Sequence, residues 1–154
     1  MSKIISLNEL VNEINKNFKG DEGLDKIINI VERYDGFDWN KYVKIDNKTN
    51  YIKNLFYENE NFEMFIVTWM PNQNSTIHDH SKNGCVMKVL DGHLMEKQFD
   101  PNTIEFIGYK IMIPDDIGFI NNETCYPQII NIDDNITTSL HIYSPPRYKI
   151  KSYN

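Results

Sequence analysis

The chain has 154 residues, 40% of them hydrophobic and 12% aromatic, with a formal net charge of −6. That is enough for one globular domain with a real core, and the composition excludes a disordered protein. The acidic balance without a basic block argues against a general nucleic-acid binder, and no apolar run approaches a membrane span.

The first third reads as a helical lead-in over residues 1–45. Ser6-Leu7-Asn8-Glu9 has the form of a capping box. Leu7, Leu10, Val11, Ile14 and Phe18 follow at helical spacing, and Gly20 is placed to end the helix. A second helix fits Leu24, Ile27, Ile28 and Val31 on one face, ending near Tyr34-Asp35-Gly36. Such stripes predict core packing rather than a ligand box.

From about Phe62 the pattern changes to short strands between turns. The predicted strands are Phe62–Met70, Thr76–Asp79, Cys85–Leu90, His93–Phe99, Tyr109–Ile113, Gln128–Ile132 and Thr137–Tyr143. Asp91-Gly92 between two of them predicts a hairpin. Many short strands without interleaved helices predict an antiparallel sandwich or barrel over residues 50–146, in one domain spanning 1–154.

Two cysteines, Cys85 and Cys125, make no disulfide framework, and Met1–Leu7 lacks the apolar core of a signal peptide. A reducing, cytoplasmic setting and a monomer are expected. The glycosylation-type sequons at Asn47, Asn74, Asn122 and Asn135 are ascribed to the chain's abundance of asparagine.

The chemistry concentrates in Ile77–Gly92. His78 and His80 alternate across one residue, so on a strand both imidazoles face one side and can reach one metal ion. Imidazole suits iron, copper, nickel or zinc. The spacing alone is as compatible with a solvated strand edge. Ser139, His141 and Tyr143 likewise share one strand face, where His141 taken alone reads as a satisfied core histidine. Cys85 alone reads as a small buried hydrophobe. His93 and Cys125 have no motif around them.

The His-Asp-His run, Cys85 five residues later and Gly92 together resemble the first cupin motif, with cysteine where glutamate is usual. In this the chain is similar to the cysteine dioxygenases. Tyr51-Ile52-Lys53-Asn54-Leu55, Trp69 and Ser139-Leu140-His141-Ile142-Tyr143-Ser144-Pro145-Pro146 extend the resemblance over nearly the whole chain.

The resemblance implies an all-β cupin (jelly-roll) barrel with N-terminal helices and a mononuclear Fe(II) site. It implies oxidation of a small thiol, L-cysteine first, by O2 to the sulfinate. His78 and His80 would be metal ligands, and Ser139, His141 and Tyr143 a hydrogen-bonded row beside the metal. Cys85 would be joined to Tyr143 by a thioether. Tyr51, Lys53 and Trp69 would form the substrate wall, Lys53 standing where the family has a carboxylate-gripping arginine.

The chain departs from this pattern at the third iron ligand, because Ile120 falls on the histidine position. Counting back from Ser139 instead puts the position near Tyr126 or Gln128, and none of these is a histidine; Glu123 and Asn122 are the neighbouring substitutes, and the sequence does not rank them. Ile120 also motivates a second reading, a catalytically impaired cupin acting as a binding or regulatory module.

Overall fold

The computed structural model describes residues 2–46 and 50–153, so the sequon at Asn47 lies outside them. Helix α1 (Leu7–Asn17) starts at Ser6, whose hydroxyl accepts from the Glu9 amide at 3.1 Å. This is one half of the expected box. The helix buries Leu7, Leu10, Val11 and Ile14, and the chain turns at Gly20 with φ +85°. The second expected helix is divided: a 3-10 turn at Leu24–Ile27 runs into the short α2 (Ile28–Glu32).

Eight strands follow: β1 (Ile52–Glu58), β2 (Glu63–Trp69), β3 (Cys85–Asp91), β4 (Leu94–Phe99), β5 (Phe106–Met112), β6 (Ile117–Ile120), β7 (Tyr126–Asn131) and β8 (Thr137–Tyr143). They form a five-stranded sheet in the order β1-β2-β8-β3-β6 and a three-stranded sheet in the order β5-β4-β7. All the pairings are antiparallel. The predicted jelly-roll class is therefore observed, because the chain crosses repeatedly between two facing sheets.

Three details correct the expectations. Asp91-Gly92 closes no hairpin, since β3 and β4 lie in different sheets. It is a corner that only glycine fits: φ is +88°, and a Cβ there would lie 2.1 Å from Thr137 Oγ1. Thr76–Asp79 forms no ladder strand; between β2 and β3, both in the five-stranded sheet, the chain runs beside β7, the His78 amide donating to the Pro127 carbonyl, with one isolated bridge from His78 to Ser152. Conversely, β1 and β6 were not predicted. The first carries a register shift between Leu55 and Tyr57 that blurs its period, and the second has only four residues.

The alternation along β8 sorts side chains to two cores. Leu140 and Ile142, with Met64, Ile66 and Val86, meet Leu10, Ile14, Phe18, Leu24 and Val31 from the helical lead-in. The opposite face looks between the sheets, where Val67, Trp69, Met87, Val89, Leu94, Met112 and Ile129 form the second core. Fully burying one such side chain stabilises the fold by about 1.5–3 kcal/mol, so both faces of this sheet are strongly specified. The site occupies the second, interior face.

Candidate active site

Strand register assembles one wall of the site. Cys85 stands opposite Tyr143 on β8 and opposite Ile120 on β6. Along the same interior face Met87 pairs with His141, Val89 with Ser139, and Val67 with both Ser139 and Lys53. A small cavity between the sheets is lined by eight of the nine predicted site residues: Tyr51, Lys53, Trp69, His78, His80, Cys85, His141 and Tyr143. Ser139, the ninth, is fully buried behind them.

His78 and His80 enter from the segment between β2 and β3 rather than from a strand, with ring centroids 5.3 Å apart. His78 Nδ1 lies 2.7 Å from the Thr76 carbonyl. An N–H donated there leaves Nε2 with its lone pair, the arrangement that holds a metal-binding imidazole in one tautomer. Asn122 grips the backbone of His80 on both sides, accepting from its amide at 2.7 Å and donating to its carbonyl at 2.9 Å. Among the described residues the buried His80 Nδ1 has no hydrogen-bond partner.

Burial lowers the pKa of both rings, that of His80 to about 3 with His78 adding to the effect. Both are therefore neutral near pH 7 and keep a lone pair for a metal. Two buried, neutral imidazoles with uncommitted nitrogen fit a borderline-soft divalent ion.

They do not make a complete protein ligand set. Among the described residues no three His, Cys, Asp or Glu side chains are placed to hold a metal. Ile120 is 5% exposed and lines the same cavity as the histidines. None of the alternatives takes its place. Glu123 is exposed, Asn122 is occupied with the His80 backbone, Tyr126 stacks on Tyr153, and Gln128 donates to the Ser75 carbonyl.

Behind the cavity runs a buried polar chain. Trp69 Nε1 donates to Ser139 Oγ at 3.0 Å, Ser139 Oγ is 2.8 Å from His141 Nε2, and His141 Nδ1 is 2.9 Å from the Tyr143 hydroxyl. Both nitrogens of His141 are thus engaged, so it is no metal ligand in this arrangement. Cys85 faces Tyr143 across the β3–β8 pairing, and the proximity of the two groups raises the Tyr143 pKa further. Burial holds His141 well below the usual histidine range and Tyr143 well above the usual tyrosine range. It pushes the Cys85 thiol up to about 12, against the opposing pull of Lys53.

The Lys53 ammonium lies 4.5 Å from the ring centroids of both Phe65 and Tyr143. Burial lowers its pKa, and the neighbouring Cys85 and Glu63 oppose that shift. Such an ammonium is stabilised by the aromatic faces, and among the described residues it forms no ion pair with a carboxylate. Tyr51 stacks on Trp69 with centroids 4.2 Å apart and closes the adjoining wall.

One element of the site had no signal in the motif. Asp79, between the two histidines, accepts from the Tyr148 hydroxyl and from the Lys151 amide, each at 2.7 Å. Its own amide donates to the Lys151 carbonyl, and the Tyr153 amide donates to the Ile77 carbonyl. Residues 148–153 thereby strap the outer side of the histidine segment. His93, by contrast, sits half-exposed against Asp133, and Cys125 is a buried free thiol away from the cavity.

Two antiparallel sheets closed around an interior pair of histidines define a double-stranded β-helix of the cupin class. A Klebsiella pneumoniae protein with a double-stranded β-helix domain superposes with a TM-score of 0.63 at 16% identity, covering 75% of this chain and 88% of that one. A cupin superfamily protein from Desulfitobacterium hafniense gives 0.56 at 7% identity, over 71% of this chain and 90% of that one. These likenesses concern the fold alone.

The family is set by sequence. The family model for cysteine dioxygenase type I matches residues 1–154. Cysteine dioxygenase type 1 of Danio rerio is 28% identical over 160 residues, 97% of this chain and 79% of the relative. The Homo sapiens protein of the same name is 30% identical over 151 residues, 92% of this chain and 75% of the relative. The chain belongs to the cysteine dioxygenase type I family. No described helix is long and apolar enough to cross a membrane.

Proposed function

We propose that this chain is an iron-dependent dioxygenase of a small carboxylate-bearing thiol, L-cysteine first, adding both atoms of O2 to the sulfur to give the sulfinic acid. The observation that carries this reading is the convergence of His78, His80, Cys85 and the Ser139–His141–Tyr143 chain on one cavity. His78 and His80 would hold Fe(II), which supplies a Lewis acid that favours the thiolate and a redox partner for O2.

The remaining roles belong to the chain's own side chains. Lys53 offers a buried positive charge to the substrate carboxylate, and that pairing would offset the cost of its burial. Lysine gives a point contact instead of the two-pronged grip of arginine, so carboxylate selection is looser. Tyr51 and Trp69 wall the cavity and exclude water from it. Tyr143, its oxygen bound to His141, holds a proton at the cavity edge.

The facing positions of Cys85 and Tyr143 also favour a thioether between them. Its formation makes a bond from sulfur to the ring carbon next to the hydroxyl. The S–H and C–H hydrogens leave with two electrons, which O2 accepts.

Ile120 supports the second reading, an impaired cupin retained as a binding or regulatory module, because it removes a donor outright. One experiment separates the two. The protein is loaded anaerobically with Fe(II), given L-cysteine and O2, and assayed for cysteine sulfinate by mass spectrometry. Sulfinate formed in step with O2 consumption supports the dioxygenase; iron that is not retained and no sulfinate would leave the binding module.

A further inference from the structure

The buried chain behind the cavity has a direction, and one residue sets it. An indole N–H can donate and cannot accept. Trp69 therefore places a fixed donor on Ser139 Oγ. The indole is itself held by the Tyr51 ring stacked on it, and the Trp69 backbone by Asn131, whose side-chain amide donates to the Trp69 carbonyl at 2.9 Å.

His141, buried among these groups, is neutral and carries one ring proton. Two directions are then possible. In the first, Ser139 gives its own proton to Nε2, Nδ1–H donates to the Tyr143 oxygen, and the Tyr143 proton is left for Cys85 or a molecule in the cavity. In the second, Nε2–H donates to Ser139 and Tyr143 donates back to Nδ1. Ser139 Oγ would then receive two N–H donors. Its own proton, on a fully buried residue, would meet no acceptor among the hydrogen bonds of the described residues. An unpaired buried donor is disfavoured, so the first direction wins.

We propose that Trp69 is a positioning residue that fixes His141 as its Nδ1–H tautomer and thereby turns the Tyr143 hydroxyl proton outward, toward Cys85 and the cavity. Tyr143 thus faces a bound thiol or O2 as a donor. The tautomer stands on the hydrogen-bond geometry alone, whereas its use in turnover rests on the dioxygenase reading.

Nitrogen NMR of the full chain labelled with 15N-histidine tests the assignment, on metal-free and zinc-loaded protein, with His141→Gln used to identify the resonances. The expected spectrum has His141 Nδ1 in the protonated range and Nε2 in the unprotonated range. Trp69→Phe keeps the stacked ring and deletes the donor, so the two resonances should move toward each other as the tautomers mix. A parent spectrum with Nε2 protonated overturns the proposal, and so does a variant spectrum identical to the parent's. Should Trp69→Phe not fold, the parent spectrum alone decides.

In turnover, the loss is expected in kcat, falling roughly tenfold, less than the ~10²-fold typical of a group that transfers the proton itself. KM for L-cysteine should hold, because Trp69→Phe preserves the wall. Absence of turnover in the parent would count against the dioxygenase reading and leave the tautomer, read by NMR, unaffected.

Discussion

Ile120 stands directly across from Cys85 in the β3–β6 pairing, so the cavity wall beside the two histidines is aliphatic at that point. The backbone is therefore already in place for a third imidazole. Ile120→His is expected to tighten binding of Fe(II) or Co(II) by at least about tenfold, since even outer-shell partners of a metal site are worth that much. In the metal-free protein the same change should cost about 1–3 kcal/mol through burial of a polar ring. Equilibrium dialysis and thermal melting read the two effects, and unchanged metal affinity would show that position 120 does not face the metal.

The buried imidazoles make the metal-free fold acid-sensitive. The unfolded chain takes up a proton at His80 near pH 6.5, while the folded chain does so only near 3. A group with a depressed folded pKa contributes stability above its unfolded pKa, and that contribution is lost as pH falls through the interval. His78 and His141 shift in the same direction through burial. Urea midpoints should therefore fall as pH drops from 6.5 toward 3, and His80→Gln should flatten the profile. A midpoint that stays level over this range would refute the assignment.

Both thiols should be silent in the native state. Burial raises Cys85 to about 12 and Cys125 to about 11, so neither forms thiolate at mildly alkaline pH. Ellman's reagent is expected to react only after denaturant is added. Protein incubated with iron, L-cysteine and O2 should then lose one titratable thiol and two hydrogens of intact mass, mapped to a Cys85–Tyr143 linked peptide. Two free thiols and an unchanged mass after demonstrated turnover would show that the link does not form.

Tyr148 and Asp79 tie the strap to the histidine segment. Removing that bond with Tyr148→Phe should cost about 1 kcal/mol. Asp79→Ala leaves the Lys151 amide and the Tyr148 hydroxyl without their acceptor and should cost more, about 2–3 kcal/mol. Both variants are expected to accelerate amide exchange at Ile77–His80 and to weaken metal binding in the same order. Faster exchange with no loss of metal affinity would show that the strap does not position the histidines.

Much of this architecture was legible in local pattern. Helix α1 begins at Ser6 because its hydroxyl caps the first turn, and β8 spans the predicted Thr137–Tyr143, where Leu140 and Ile142 alternate with Ser139, His141 and Tyr143. The His-Asp-His run was legible as chemistry, though for an incomplete reason. The rings come together on a segment beside β7 that is held by Asn122 and the strap and belongs to no ladder strand. Asp91-Gly92 misled because a left-handed glycine serves a corner as well as a hairpin; the choice lies with the strands that β3 and β4 find elsewhere.

By itself the sequence determined the helical faces, most of the strands and the two metal-capable imidazoles. These follow from residue identity and short-range period, which need no knowledge of distant partners. Only the tertiary structure decided that Trp69 donates to Ser139 across 70 residues of chain, that Asp79 serves the strap, and that Cys85 lies between Ile120 and Tyr143. Strand register and the direction of a buried hydrogen bond depend on which distant donors and acceptors remain to be paired, and that pairing exists only in the folded chain.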